Sequence, residues 1–140
     1  MTGKTRAKLA AADYHILAEF RHLLRRFLVF SEDAARAAGL APQQHQALLA
    51  IKGFTGGPAP TIGDLAQQLV IKHHSAVGLV DRLVKAGYLK RRQDTDDRRR
   101  VTLALTASGE KLLEDLTSAH RDELRMLTPS LKALFAKLER

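Results

Sequence analysis

Apolar residues recur at helical spacing through the first part of the chain. Tyr14, Leu17, Leu24, Phe27, Leu28 and Ala35 fall three, four or seven positions apart. Ile16, Phe20, Leu23 and Phe30 widen that stripe. The pattern predicts one long helix from about Leu9 to Ala38, with Gly39 as its stop. A helix apolar around so much of its girth needs cover on more than one side. A chain of 140 residues that must also build other elements cannot supply all of it, so a second copy of the chain is the expected partner.

A second helix is expected over Pro42 to Lys52, with proline at its first position. The stretch GFTGGPAP, Gly53 to Pro60, breaks the periodicity and reads as a loop. Thr61 and Asp64 then form a Thr-x-x-Asp variant of the capping box ahead of Leu65, Ala66 and Leu69. After a short turn at Val70 and Ile71, a further helix is expected from Lys72 to Ala86, with Val77, Val80, Leu83 and Val84 inward and Gly87 as its end. Two short helices joined by a tight turn make a helix-turn-helix pattern. YLKRRQ, DTDDR and RRVTLALT follow as strand, polar turn and strand, with Val101, Leu103 and Leu105 alternating against Thr102 and Ala104. A hairpin directly after such a helix is the wing of a winged helix. Thr106 caps a long helix from Ala107 to Met126, and Thr128 with Pro129 is expected to start a separate last helix carrying Leu131, Leu134, Phe135 and Leu138. The expected fold is mainly α with a small β-hairpin wing, in one domain over 1–140. Segments 9–38 and 107–140 would form a helical dimerisation region, and 42–106 a winged helix-turn-helix lobe.

Charge gives this layout a partner. The formal net charge is +8, which favours a polyanion. Between Lys72 and Arg100 there are nine Lys and Arg against the four acids Asp81, Asp94, Asp96 and Asp97, so +5 of the +8 lies on one helix and one hairpin. His73, His74 and Ser75 stand in the first turn of that helix, where free N–H groups and the dipole suit a phosphate and where helix-turn-helix proteins meet the major groove. The DNA-binding candidates are therefore Lys72, His73, His74, Ser75, Arg82, Arg98, Arg99 and Arg100. The acids at the hairpin tip would repel phosphates unless engaged, and Asp97 is the expected brace for an arginine.

At these residues the chain resembles the MarR (multiple-antibiotic-resistance regulator) family. The likeness runs from Asp64 to Leu113 and is sharpest in DRRRVTLALT, Asp97 to Thr106, and LVDRLVKAGYL, Leu79 to Leu89. It implies a triangular homodimer in which the first and last helices interlock with the partner. It also implies that Lys72 to Ala86 enters the major groove while Arg99 and Arg98 reach the minor groove. A transcriptional repressor released by a small aromatic or phenolic effector is the implied function. Val77 and Gly78 stand where relatives often carry threonine and arginine, which would move base readout toward His73, His74 and Ser75.

Other chemistry is thin. Phe20, Phe27 and Phe30, with His45 for a polar contact, are the candidate effector pocket. There is no cysteine, so disulfides, thiolate metal sites and thiol oxidation are excluded. Neither a Gly-rich phosphate loop nor Gly-x-Ser-x-Gly nor His-Glu-x-x-His occurs, which argues against an enzyme, and no cofactor is expected. Six histidines, with His15 and His22 two turns apart and His120 elsewhere, leave a metal-sensing regulator as an alternative, although no tight His-x-x-x-His pair exists. A non-specific architectural DNA-binding protein is the other alternative. No signal peptide or membrane-length apolar run is visible, so a cytoplasmic protein without membrane association is expected.

Overall fold

The computed structural model describes residues 8–140. Its elements run α1 (Ala11–Ala37), α2 (Pro42–Lys52), α3 (Ile62–Leu69), α4 (His73–Lys85), β1 (Leu89–Gln93), β2 (Val101–Leu105) and α5 (Ala107–Leu138). Residue contacts divide them into two compact units. One is Ser31–Ala119; the other comprises the described residues up to Phe30 together with His120–Arg140.

The unit Ser31–Ala119 is a winged helix-turn-helix. Its core is aliphatic, with Leu48, Leu65, Leu79, Val80, Leu83, Leu89 and Leu103 fully buried. Each such side chain contributes about 1.5–3 kcal/mol of apolar burial. Helix α3 starts with a reciprocal cap: the Asp64 amide donates to Thr61 Oγ1 at 3.2 Å, and the Thr61 amide donates to the Asp64 carboxylate at 2.9 Å. The turn into α4 places Val70 in the left-handed region, with φ 55°. That conformation lets the Ile71 amide donate to the Ala66 carbonyl at 3.0 Å and close the end of α3. Gly87, with φ 85°, does the same for α4, where the Tyr88 amide donates to the Leu83 carbonyl at 3.0 Å.

The hairpin pairs β1 and β2 antiparallel in the register Leu89↔Leu105, Arg91↔Leu103 and Gln93↔Val101. Leu103 and Leu105 turn inward on β2. On its other edge the Leu103 amide donates to the Pro60 carbonyl at 2.8 Å, tying the glycine-rich loop to the sheet. Thr106 then closes the circuit. Its hydroxyl donates to the Gly87 carbonyl at 2.6 Å, its amide donates to the Tyr88 carbonyl at 3.0 Å, and its Oγ1 accepts from the Gly109 amide at 3.1 Å. The Ser108 hydroxyl donates to the same Gly87 carbonyl at 2.9 Å. The first turn of α5 is thereby fastened to the exit of α4.

The other unit packs the early part of α1 against the late part of α5 around Ile16, Leu23, Leu127 and Leu134. One expectation is corrected here. The separate helix at Thr128 and Pro129 does not exist, because α5 runs unbroken from Ala107 to Leu138 with Pro129 inside it. Buried Leu127 and Leu134 anchor the helix on both sides of the proline, and this packing outweighs the lost N–H and the steric cost. On α1 the apolar residues divide between two sides. Tyr14, Leu17, Leu24 and Leu28 are exposed, whereas the flanking Ile16 and Leu23 are buried. Both sides of this helix are apolar, so periodicity alone cannot choose the one that α5 covers. Among the described residues no helix is long and apolar enough to cross a membrane.

Candidate nucleic-acid interface

Helix α4 buries Ala76, Leu79, Val80 and Leu83. His74, Gly78, Asp81 and Lys85, spaced i, i+4, i+7 and i+11, form the stripe opposite that buried face. Lys72 is the N-cap and makes no side-chain cap bond. Lys72, His73, His74 and Ser75 are all exposed, so the first turn of α4 presents its amide groups with imidazole and hydroxyl groups beside them.

Charge on the helix and hairpin is partly paired. Asp81 on α4 is engaged by Arg91 on β1, which cancels the one acid on the outward stripe. Arg82 makes no ion pair among the described residues, and its guanidinium lies back along the helix over Gly78. A side-chain carbon added at Gly78 would stand 3.5 Å from it, at ordinary contact distance.

The hairpin tip is built on its acids. The Asp94 carboxylate accepts from the Asp96 amide at 2.9 Å, the Asp94 amide donates to the Arg100 carbonyl at 2.8 Å, and the Arg100 amide donates to the Asp97 carbonyl at 2.9 Å. Asp97 Oδ1 accepts from the Arg99 amide at 3.0 Å and lies 3.4 Å from the Arg99 guanidinium Nε. Arg99 itself remains 95% exposed. Arg100 lies 3.6 Å from Asp94. Arg98 has no ionic partner among the described residues, and its carbonyl accepts from the Gln93 side chain at 2.8 Å. Of the eight DNA-binding candidates, Lys72, His73, His74, Ser75 and Arg82 therefore lie on or at the head of α4, and Arg98, Arg99 and Arg100 on the hairpin of the same unit.

The effector candidates divide between the two units. Phe27 and Phe30 set their rings edge-on to His120, at centroid distances of 5.8 and 5.2 Å. Phe20 packs against Phe135 at 6.0 Å. His45 is buried on α2 in the other unit. The environment of His120 escaped sequence reasoning, because a histidine within the apolar stripe of α5 does not show that phenylalanines from α1 will meet it. Among the described residues no three His, Asp or Glu converge as a metal-holding set.

Asp64 titrates away from its ordinary range. Its carboxyl is held below the usual carboxylate range, chiefly by the hydrogen bond from the Thr61 amide.

The sequence profile of the MarR family matches residues 38–100. The uncharacterized HTH-type transcriptional regulator YcgE of Bacillus subtilis is 37% identical over 97 residues, 69% of this chain and 61% of that protein. The HTH-type transcriptional regulator FarR of Neisseria gonorrhoeae is 47% identical over 53 residues, 38% of this chain and 36% of that protein. The chain thus spans 61% and 36% of the lengths of these two curated relatives. The crystal structure of the S. aureus MepR–DNA complex shares the fold, with a TM-score of 0.66 at 20% identity over 94% of this chain and 97% of that one. The profile match, the sequence relatives and the shared winged-helix fold agree: the chain belongs to the MarR family.

Proposed function

We propose that this chain is a sequence-specific DNA-binding transcriptional regulator, a repressor that acts as a homodimer on a near-palindromic operator. The observation that carries the reading is the set of exposed groups along α4 and on the adjoining hairpin: Lys72, His73, His74, Ser75, Arg82, Arg98 and Arg99. Helix α4 enters the major groove by its N-terminal end, and the hairpin sets Arg99 against a phosphate or a narrow minor groove. The likeness to a fold crystallised with DNA supports this docking.

The homodimer reading is supported by the exposed apolar side chains Tyr14, Leu17, Leu24 and Leu28 on α1 and by Phe135 and Leu138 on α5, a quantity of apolar surface that favours a second copy. Two-fold symmetry then sets half-sites about 10 base pairs apart, or a multiple of that. A small aromatic acid or phenol releases the operator by favouring the DNA-free conformation.

Selection of bound sequences from a random DNA pool tests the whole reading. An inverted repeat with the stated spacing supports it. Recovery of unrelated sequences, with random DNA competing as well as any selected one, overturns specificity and leaves an architectural DNA-binding protein. A panel of aromatic acids that changes neither the melting temperature nor operator affinity removes the effector from the proposal.

A further inference from the structure

The outward stripe of α4 has a gap in it. Among His74, Gly78, Asp81 and Lys85, the position nearest the middle of the helix is a glycine with no side chain to offer a base. Asp81, the next position along, is held by Arg91 and would in any case repel the DNA backbone. Arg82 fills the gap. It stands one turn after Gly78, its guanidinium lies over the glycine, and nothing in its own unit pairs with it.

We infer that Arg82, lying across the bare surface of Gly78, is a specificity-determining residue of the helix, and that it reads one guanine in each operator half-site. The inference deepens the proposed DNA-binding function and rests on it. Guanidinium is the side chain whose planar fork matches O6 and N7 of guanine with two parallel hydrogen bonds. An arginine at position 78 could reach the same base directly. With glycine there, the helix backbone approaches the groove floor more closely, and the longer Arg82 side chain supplies the fork from the following turn. Lys85 on the same stripe offers a point charge and no fork. The sequence alone moves readout to His73, His74 and Ser75. The position of the Arg82 guanidinium adds a base contact further along the helix.

The discriminating experiment uses the full chain and an operator obtained by random-pool selection. Each position of one half-site is replaced in turn, and affinity is measured for the wild type, Arg82→Ala, Arg82→Lys and Gly78→Leu. For the wild type, one guanine should stand out, with its replacement weakening binding by about 5- to 150-fold. Arg82→Ala should abolish that discrimination while leaving preference at the other positions. Arg82→Lys should also lose it while keeping the wild-type dependence on salt, because the charge remains and the fork does not. Gly78→Leu should displace the guanidinium and weaken the same preference. Circular dichroism and melting temperature confirm that each variant is folded. If the wild type selects an operator and Arg82→Ala and Arg82→Lys both retain its guanine preference, this inference is wrong and the DNA-binding function stands. If the wild type selects no sequence, both fall.

Discussion

The carbonyl oxygen of Tyr88 occupies the space where residue 109 would carry a side-chain carbon, so the first turn of α5 can pass only because that residue is glycine. The obstacle is backbone, and Tyr88 cannot move aside without breaking its bond to the Thr106 amide. Gly109→Ala should therefore destabilise the protein by about 1–3 kcal/mol, although alanine is the better helix former. Urea unfolding, read as a lower midpoint with unchanged slope, measures it. A midpoint at or above that of the wild type would show that the two elements can separate at little cost.

Val70 presents the opposite case. It is a β-branched residue held at φ 55° and 89% exposed, so it bears the cost of the left-handed conformation without gaining burial. That conformation costs an L-residue about 1–2 kcal/mol, while glycine adds about 0.5–1 kcal/mol of unfolded-state entropy. Val70→Gly should raise stability by a net of up to about 1.5 kcal/mol. Thermal unfolding that shows a clear loss would mean that the valine makes a contact in solution that offsets its strain.

Acid should weaken the cap of α3. The folded carboxyl of Asp64 has a lowered pKa, so its contribution is fully present above the unfolded value of about pH 4 and is lost as pH falls through the lower folded value. Asp64→Asn should therefore be less stable than the wild type at neutral pH, and the gap should narrow as pH falls below the unfolded value of about 4. Paired melting curves across that range test the sign. A gap that is constant or that widens in acid would contradict the assignment.

Arg99 and Asp97 should separate in their effects on DNA affinity. Arg99→Ala is expected to weaken binding on cognate and scrambled DNA alike and to lower the salt dependence by about one counterion. Asp97→Asn leaves the arginine present but loosens its bracing by Oδ1, so affinity should fall less and the salt slope should stay near that of the wild type. Titrations at several salt concentrations distinguish these patterns. An unchanged slope for Arg99→Ala would remove the hairpin from the interface.

The exposed face of α1 predicts its own disruption. Leu17 is 65% exposed in the single chain, and Leu17→Glu should put charge into the proposed dimer contact. Sedimentation equilibrium should show the wild type as a dimer at micromolar concentration and the variant shifted toward monomer, with helix content kept in the Ser31–Ala119 unit. A wild-type protein that sediments as a folded monomer would end the homodimer reading.

Much of the winged lobe is legible in the sequence because its signals are local. Thr61 and Asp64 announce a helix start, Gly87 a stop, and the Leu103–Leu105 alternation a strand, each through forces acting within a few residues. The miscounted helix at Pro129 arises from packing between elements distant in sequence, which no local pattern encodes. The same holds at the candidate interface. Lys72 to Arg100 stands out as basic, but the clearance between Gly109 and Tyr88 and the path of Arg82 over Gly78 depend on where backbones and rotamers meet. Val70 shows the limit most plainly, since its residue type argues against the conformation it adopts.

The doubly accepted carbonyl of Gly87 has a mechanical meaning. With the hydroxyls of Thr106 and Ser108 on it and the Tyr88 carbonyl bound to the Thr106 amide, the joint between α4 and α5 has no slack, and the two helix ends turn together as arms of one lever. Helix α4 has 13 residues, a length of about 20 Å at 1.5 Å per residue. A tilt of about 10° imposed at the α5 end swings His73 at the far end through about 3 Å, close to the spacing of successive base pairs. A disturbance too small to unfold anything could thus shift the reading end of the helix by a full step along the DNA.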